Sequence, residues 1–124
     1  MHFTKRGNFY QASRITGPRH NFLAIALTPG HSTRETVVEA LPPVGECRHA
    51  ALSAAAILSS VAEGVAKANS AFGTGYGVTN IQYVENDTPP EAVYGFMAHE
   101  IIKQLNSGGE FVEMEEESGK SSGT

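Results

Sequence analysis

Cys47 and His49 flank a single arginine in the run Cys-Arg-His, just ahead of an alanine-rich stretch. A thiol at the start of a helix, beside an imidazole, is favoured as thiolate and gains nucleophilic character. The plainer alternative is a loop cysteine with a solvated neighbour. Arg14, Arg19 and His20, with Lys5 and Arg6 nearby, gather positive charge toward the amino end, while residues 110–117 are acidic. Such a cluster can hold phosphate or RNA locally, or be an ordinary solvated face. Tyr10, Tyr76 and Tyr83 would stack on bases if exposed, although tyrosines in strands more often pack half-buried. His2, His20, His31, His49 and His99 show no paired metal spacing, and a lone cysteine excludes the usual structural zinc patterns. His99-Glu100 lacks the second histidine of the zinc-protease helix. No metal and no cofactor is expected.

Gly73, Gly75 and Gly77 raise the question of a phosphate cradle. A dinucleotide turn runs strand, glycine turn, helix, so that free N–H groups at the helix start meet the pyrophosphate. Here the glycines follow a helical pattern, where the partial charge is negative, and no Walker lysine follows them. They are expected to be a helix stop and tight turn that binds no nucleotide.

The elements that must position these groups fit one domain. The chain has 124 residues, 40% of them hydrophobic, and a formal charge of −4 from 13 acidic and 9 basic residues. That size suits a single core, and that charge gives no broad field for nonspecific nucleic-acid binding. One cysteine cannot make an internal disulfide, no stretch reads as a signal peptide, and none is long and apolar enough for a bilayer, so the cytoplasm is the expected location. The expected organisation is a flexible lead-in over residues 1–8, one α+β domain over 9–114, and a disordered acidic, Ser-Gly tail over 115–124.

Within the domain, residues 9–15 can be extended and end at Gly17-Pro18. Residues 21–27 (NFLAIAL) make the clearest strand, with Phe22, Ala24 and Ala26 on one side and Leu23, Ile25 and Leu27 on the other. Residues 35–41 read as a third strand returning antiparallel. A helix over 50–72 carries the stripe Leu58, Val61, Ala62, Val65, Phe72, and Gly64 inside it costs about 1 kcal/mol against alanine, so packing must hold that turn. Residues 78–84 form a fourth strand. Thr88 and Glu91 fit a capping box opening a second helix striped by Val93, Met97, Ile101 and Leu105, with Phe96 beside it and Gly108-Gly109 as its stop. Residues 111–114 are a candidate edge strand.

This β-β-β-α-β-α order makes a two-layer sandwich. The segment VAEGVAKANSAFGTGYGVTNIQYVEND, followed by EAVYGFMAHEIIKQL, resembles domain IV of the translational elongation factor G family, with Gly75-Tyr76-Gly77-Val78 at the family's G-Y-x-V turn. The resemblance spans roughly residues 9–106. It implies a ribosomal protein S5 domain 2-like fold with a left-handed crossover, where unaided reasoning predicts a right-handed one. It also implies two tip loops, at Gly17-Pro18-Arg19-His20 and Glu85-Asn86-Asp87-Thr88-Pro89. The family's GTPase portion is absent, and its tip-loop histidine has no counterpart in the second loop.

The leading expectation is a stand-alone, non-catalytic module binding RNA or a ribosomal surface through Lys5, Arg6, Arg14, Arg19 and His20. The alternative is a small oligomeric enzyme or small-molecule-binding protein using Arg19, His20, Cys47 and His49. A homodimer is expected through Phe22, Leu23, Ile25 and Leu27, because whichever set faces the helices leaves the other as an apolar stripe needing cover.

Overall fold

The computed structural model describes residues 1–16, 19–30, 35–42 and 51–114. Chain order is β1 (His2–Arg6), β2 (Phe9–Thr16), β3 (Arg19–Thr28), β4 (Val37–Leu41), α1 (Ala54–Phe72), β5 (Gly77–Val84), α2 (Ala92–Asn106) and β6 (Val112–Glu113). The strands form one mixed sheet in the order β4-β5-β3-β2-β1-β6, and both helices pack on one of its faces. The molecule is thus an α+β two-layer arrangement. Cys47, His49, Gly17, Pro18 and His31, with residues 115–124, lie outside the described residues.

β3 sits at the sheet centre, antiparallel to both β2 and β5. Its alternation decides the layers: Leu23 and Ile25 are fully buried with Ala12, Ile81 and Tyr83 beneath the helices. Each such aliphatic side chain contributes roughly 1.5–3 kcal/mol by leaving water. On the opposite face, one register row reads Glu39, Gln82, Ala24, Gln11, Thr4 across five strands. Gln82 donates to Glu39 at 3.0 Å and Thr4 donates to Gln11 at 2.8 Å. Ala24, between the two glutamines, has no exposed surface. The apolar stripe expected on the second face of β3 is therefore two small, covered alanines plus half-buried Phe22, while Leu23 and Ile25 belong to the core.

Three features differ from the sequence reading. Residues 2–6, read as part of a flexible lead-in, form β1 and pair with β2, because Phe3 reaches the core and packs edge-on to Phe111 at 5.6 Å. Residues 37–41 run opposite to β3 as expected, but β5 lies between them and pairs parallel with β4. Local alternation sets a strand's faces and not its neighbour. The α1 stripe is also rotated: Ile57, Val61, Gly64, Val65 and Ala68 are buried, whereas Leu58 is exposed.

That rotation has a cause in the helix contact. A Cβ on Gly64 would collide with the Gly95 carbonyl, and one on Gly95 with the Ser60 carbonyl, so the two backbones meet directly. The turn that loses propensity at Gly64 is held by this approach. Ser60 Oγ also accepts the Gly95 N–H at 2.9 Å, so α1 supplies an acceptor to the first turn of α2.

Candidate functional site

Two stretches that sequence places far apart, the start of β3 and the residues after β5, meet at one end of the sheet. β5 stays paired with β3 through Tyr83 opposite Leu23 and then departs. The next outward N–H on that edge, at Phe22, would lose its acceptor, and Asp87 Oδ2 accepts it at 2.6 Å. Thr88 then rejoins β3: its N–H donates to the His20 carbonyl at 3.1 Å, and its Oγ1 accepts the His20 N–H at 3.2 Å. Loop side chains thus continue a ladder that the strand has left.

Asp87 is also the hub of a side-chain network. His20 Nδ1 lies 2.7 Å from Asp87 Oδ1, and the Tyr94 hydroxyl donates to Asp87 Oδ2 at 3.1 Å. Asn21 Nδ2 donates to the Tyr94 oxygen at 3.1 Å and to the Thr88 carbonyl at 2.8 Å. The carboxylate side chain is 2% exposed and the imidazole 40%. An isolated carboxylate at such a depth would cost several kcal/mol, and three donors offset that cost. Burial pushes the Tyr94 phenol up, the hydrogen bond from the Asn21 amide partly offsets it, and the Asp87 charge adds to the rise, so Tyr94 keeps its proton and donates it. An ionised carboxylate only accepts, so Nδ1 is the ring nitrogen that carries hydrogen.

These bonds explain why the expected capping box did not form. Thr88 is engaged by β3, and Glu91 accepts the Ser53 N–H at 3.0 Å, at the start of the other helix. α2 instead begins at Ala92 with no side-chain cap, and Ser60 takes the Gly95 N–H.

The five expected anion-binding residues fall into two groups. Arg14, paired with Asn21, Arg19, which opens β3, and His20 are at the tip. Lys5 and Arg6 stand at the other end of the β1–β2 pair: from Phe9, opposite Arg6, to Ile15, opposite His20, is six residues, about 20 Å of strand. Lys5 Nζ lies 5.4 Å from the Tyr10 ring centre. Tyr10 is half-buried and packs edge-on to Phe111 at 5.1 Å, and Tyr83, 3% exposed, is closed off within the core. His99 packs 5.4 Å from Phe72 in the helix layer. The residues missed from sequence are Asn21, Asp87 and Tyr94. Asn-Asp-Thr directly after a strand was the available signal, since such residues commonly replace backbone partners at strand ends.

Gly73 ends α1 in the left-handed conformation at φ 69°, as expected of a helix stop. Among the described residues, no helix is long and apolar enough to cross a membrane, and no group of three His, Cys, Asp or Glu is arranged for a metal ion. Compared with protein-family models, with curated proteins and with solved structures, the chain matches none.

Proposed function

We propose that the chain is a binding module of the elongation factor G domain IV type, with a ribosomal protein S5 domain 2-like fold, whose tip contacts RNA or a ribosomal surface. The observation that carries this reading is the His20–Asp87 pair at 2.7 Å, which ties the β2–β3 end to the β5–α2 loop and makes one tip of them. The helix that stops at Gly73 and the Gly75-Tyr76-Gly77-Val78 turn leading into β5 add support. Arg14 and Arg19 would supply the phosphate contacts there, and their charge matters because the chain as a whole carries −4.

The same pair supports a second reading. A buried carboxylate holding an imidazole is the orienting half of a general-base arrangement, so His20 is also the group on which an enzymatic role would rest. Co-sedimentation with ribosomes, together with filter binding to ribosomal RNA at two salt concentrations, tests the first reading. Arg14→Glu with Arg19→Glu is expected to weaken binding at least tenfold and flatten its salt dependence. Binding indifferent to both salt and these changes, or no binding to any ribosomal fraction, sets the module reading aside.

A further inference from the structure

The two edges of the sheet are finished differently. β6, at one end, has only two residues, and so short an edge offers little to pair with. β4, at the other, runs five residues in unbroken parallel register with β5. It has none of the devices that close an edge: no lysine, no proline and no bulge, and its one charge, Glu39, is drawn toward β5 by the Gln82 amide at 3.0 Å. Val37 is 57% exposed. Among the described residues no strand lies beyond β4, so a row of its backbone donors and acceptors faces outward.

The helix layer above this edge is open as well. α1 lies over β4 and β5, and a groove of about 240 Å³ between them is lined by Thr36, Leu58, Ala62, Ala66 and Val78. Leu58, Ala62 and Ala66 are exposed there. Both charges of α1, Glu63 and Lys67, line the opposite groove against α2, so the side of α1 toward β4 is uncharged.

We propose that a second copy of this chain covers both features: two β4 strands pair antiparallel about a two-fold axis normal to the sheet, giving one continuous sheet on which α1 packs beside its counterpart. The dimer expected through the face of β3 is thereby moved to the edge of β4, because Leu23 and Ile25 are spent on the core. This inference is independent of what the tip binds. An edge is its own backbone complement under a two-fold axis, and closed two-fold pairs are the commonest assemblies. A stable interface takes roughly 800 Å² from each partner, more than a five-residue edge presents, and the uncharged side of α1 adds to it.

The side chains also choose the register. With the helices on one side of a joint sheet, each residue must meet one of its own face, and like charges set directly opposite are destabilising. Pairing centred on Val37 sets Glu39 against Glu35 of the partner subunit, and pairing centred on Glu39 sets that carboxylate against itself. Centring on Ala40 or Leu41 brings Pro42, which has no N–H, into the ladder. Centring on Val38 avoids all of these. It places a β-branched pair on the axis and Val37 opposite Glu39 of the partner subunit.

Sedimentation velocity on the full chain, over a dilution series, reads the dimer, and charge placement reads the register. Val37→Glu puts two like-charged pairs into the contact and is expected to weaken dimerisation about tenfold, while Val37→Lys, meeting Glu39, leaves it unchanged or tighter. Leu58→Glu, on the α1 side, is expected to weaken it about tenfold or more. Both sites are exposed in one copy, so the variants should fold, which circular dichroism checks. In a Cys47→Ser background, Val38→Cys should link to its own copy through a short thiol-bridging reagent, and Ala40→Cys should not. A chain that stays monomeric to near-millimolar concentration overturns the proposal. So does a dimer indifferent to Val37→Glu and Leu58→Glu, one that Val37→Lys and Val37→Glu weaken alike, or linkage at Ala40 in place of Val38. Each of these outcomes leaves the module reading to its own test.

Discussion

Two turns of this molecule are each organised by one polar side chain, at Asn69 and at Asp87, and they are built on different principles. Asn69 closes the exit from α1. Its Oδ1 accepts the Tyr76 N–H at 3.0 Å and the Thr74 hydroxyl at 2.9 Å, and its Nδ2 donates to the Tyr76 carbonyl at 2.9 Å. All of its partners lie within seven residues, and the group is neutral. Asp87 accepts from His20 and Phe22, 67 and 65 residues earlier, as well as from Tyr94 on the following helix. A neutral amide with local partners shapes a loop. A buried charge with distant partners joins two parts of the fold, and its loss costs more because the Tyr94 hydroxyl it leaves behind is itself buried.

The sharpest break of this comparison is Asp87→Ala. It removes the acceptor of the Phe22 N–H and strands the Tyr94 hydroxyl away from water, and the expected loss is about 3–5 kcal/mol, read from urea or thermal unfolding. A loss below that of the equivalent change at Asn69 would mean that the charge brings no more than an amide does.

Next in size is the alkaline limb of stability. Because burial raises the Tyr94 phenol above its unfolded value near 10, the folded chain holds this proton where the unfolded chain releases it. That contribution is complete below pH 10 and is lost as pH climbs above it, by up to about 1.4 kcal/mol per pH unit. Tyr83, raised by burial with Glu85 and Glu91 adding to it, steepens the same limb. Chemical denaturation between pH 9 and pH 11.5 is therefore expected to show a fall that Tyr94→Phe makes shallower. Parallel pH profiles for the two proteins would contradict this.

The smallest effect belongs to the local turn. Asn69→Ala removes three neutral hydrogen bonds from a half-buried site that water can reach, and about 1–2 kcal/mol is expected. Hydrogen exchange should report faster exchange at Tyr76 with the β3–α2 end unaltered. Faster exchange at Phe22 as well would show that the two turns are coupled.

The same contrast separates what the sequence carried from what folding added. Composition and period were enough for the α+β class, the two helices, the alternation of β3 with Leu23 opposed to Ala24, and the stop at Gly73, because each depends on residues a few positions apart. Sequence did not reveal that β5 would enter between β3 and β4, that residues 2–6 would become a strand, or that Gly64 and Gly95 would bring two helix backbones into contact. Nor did it reveal that Asp87 would be spent on β3 while Thr88 abandoned its expected cap. Each of these requires groups from distant parts of the chain to satisfy one another's hydrogen bonds and share one buried volume, a requirement that exists only once the layers have closed.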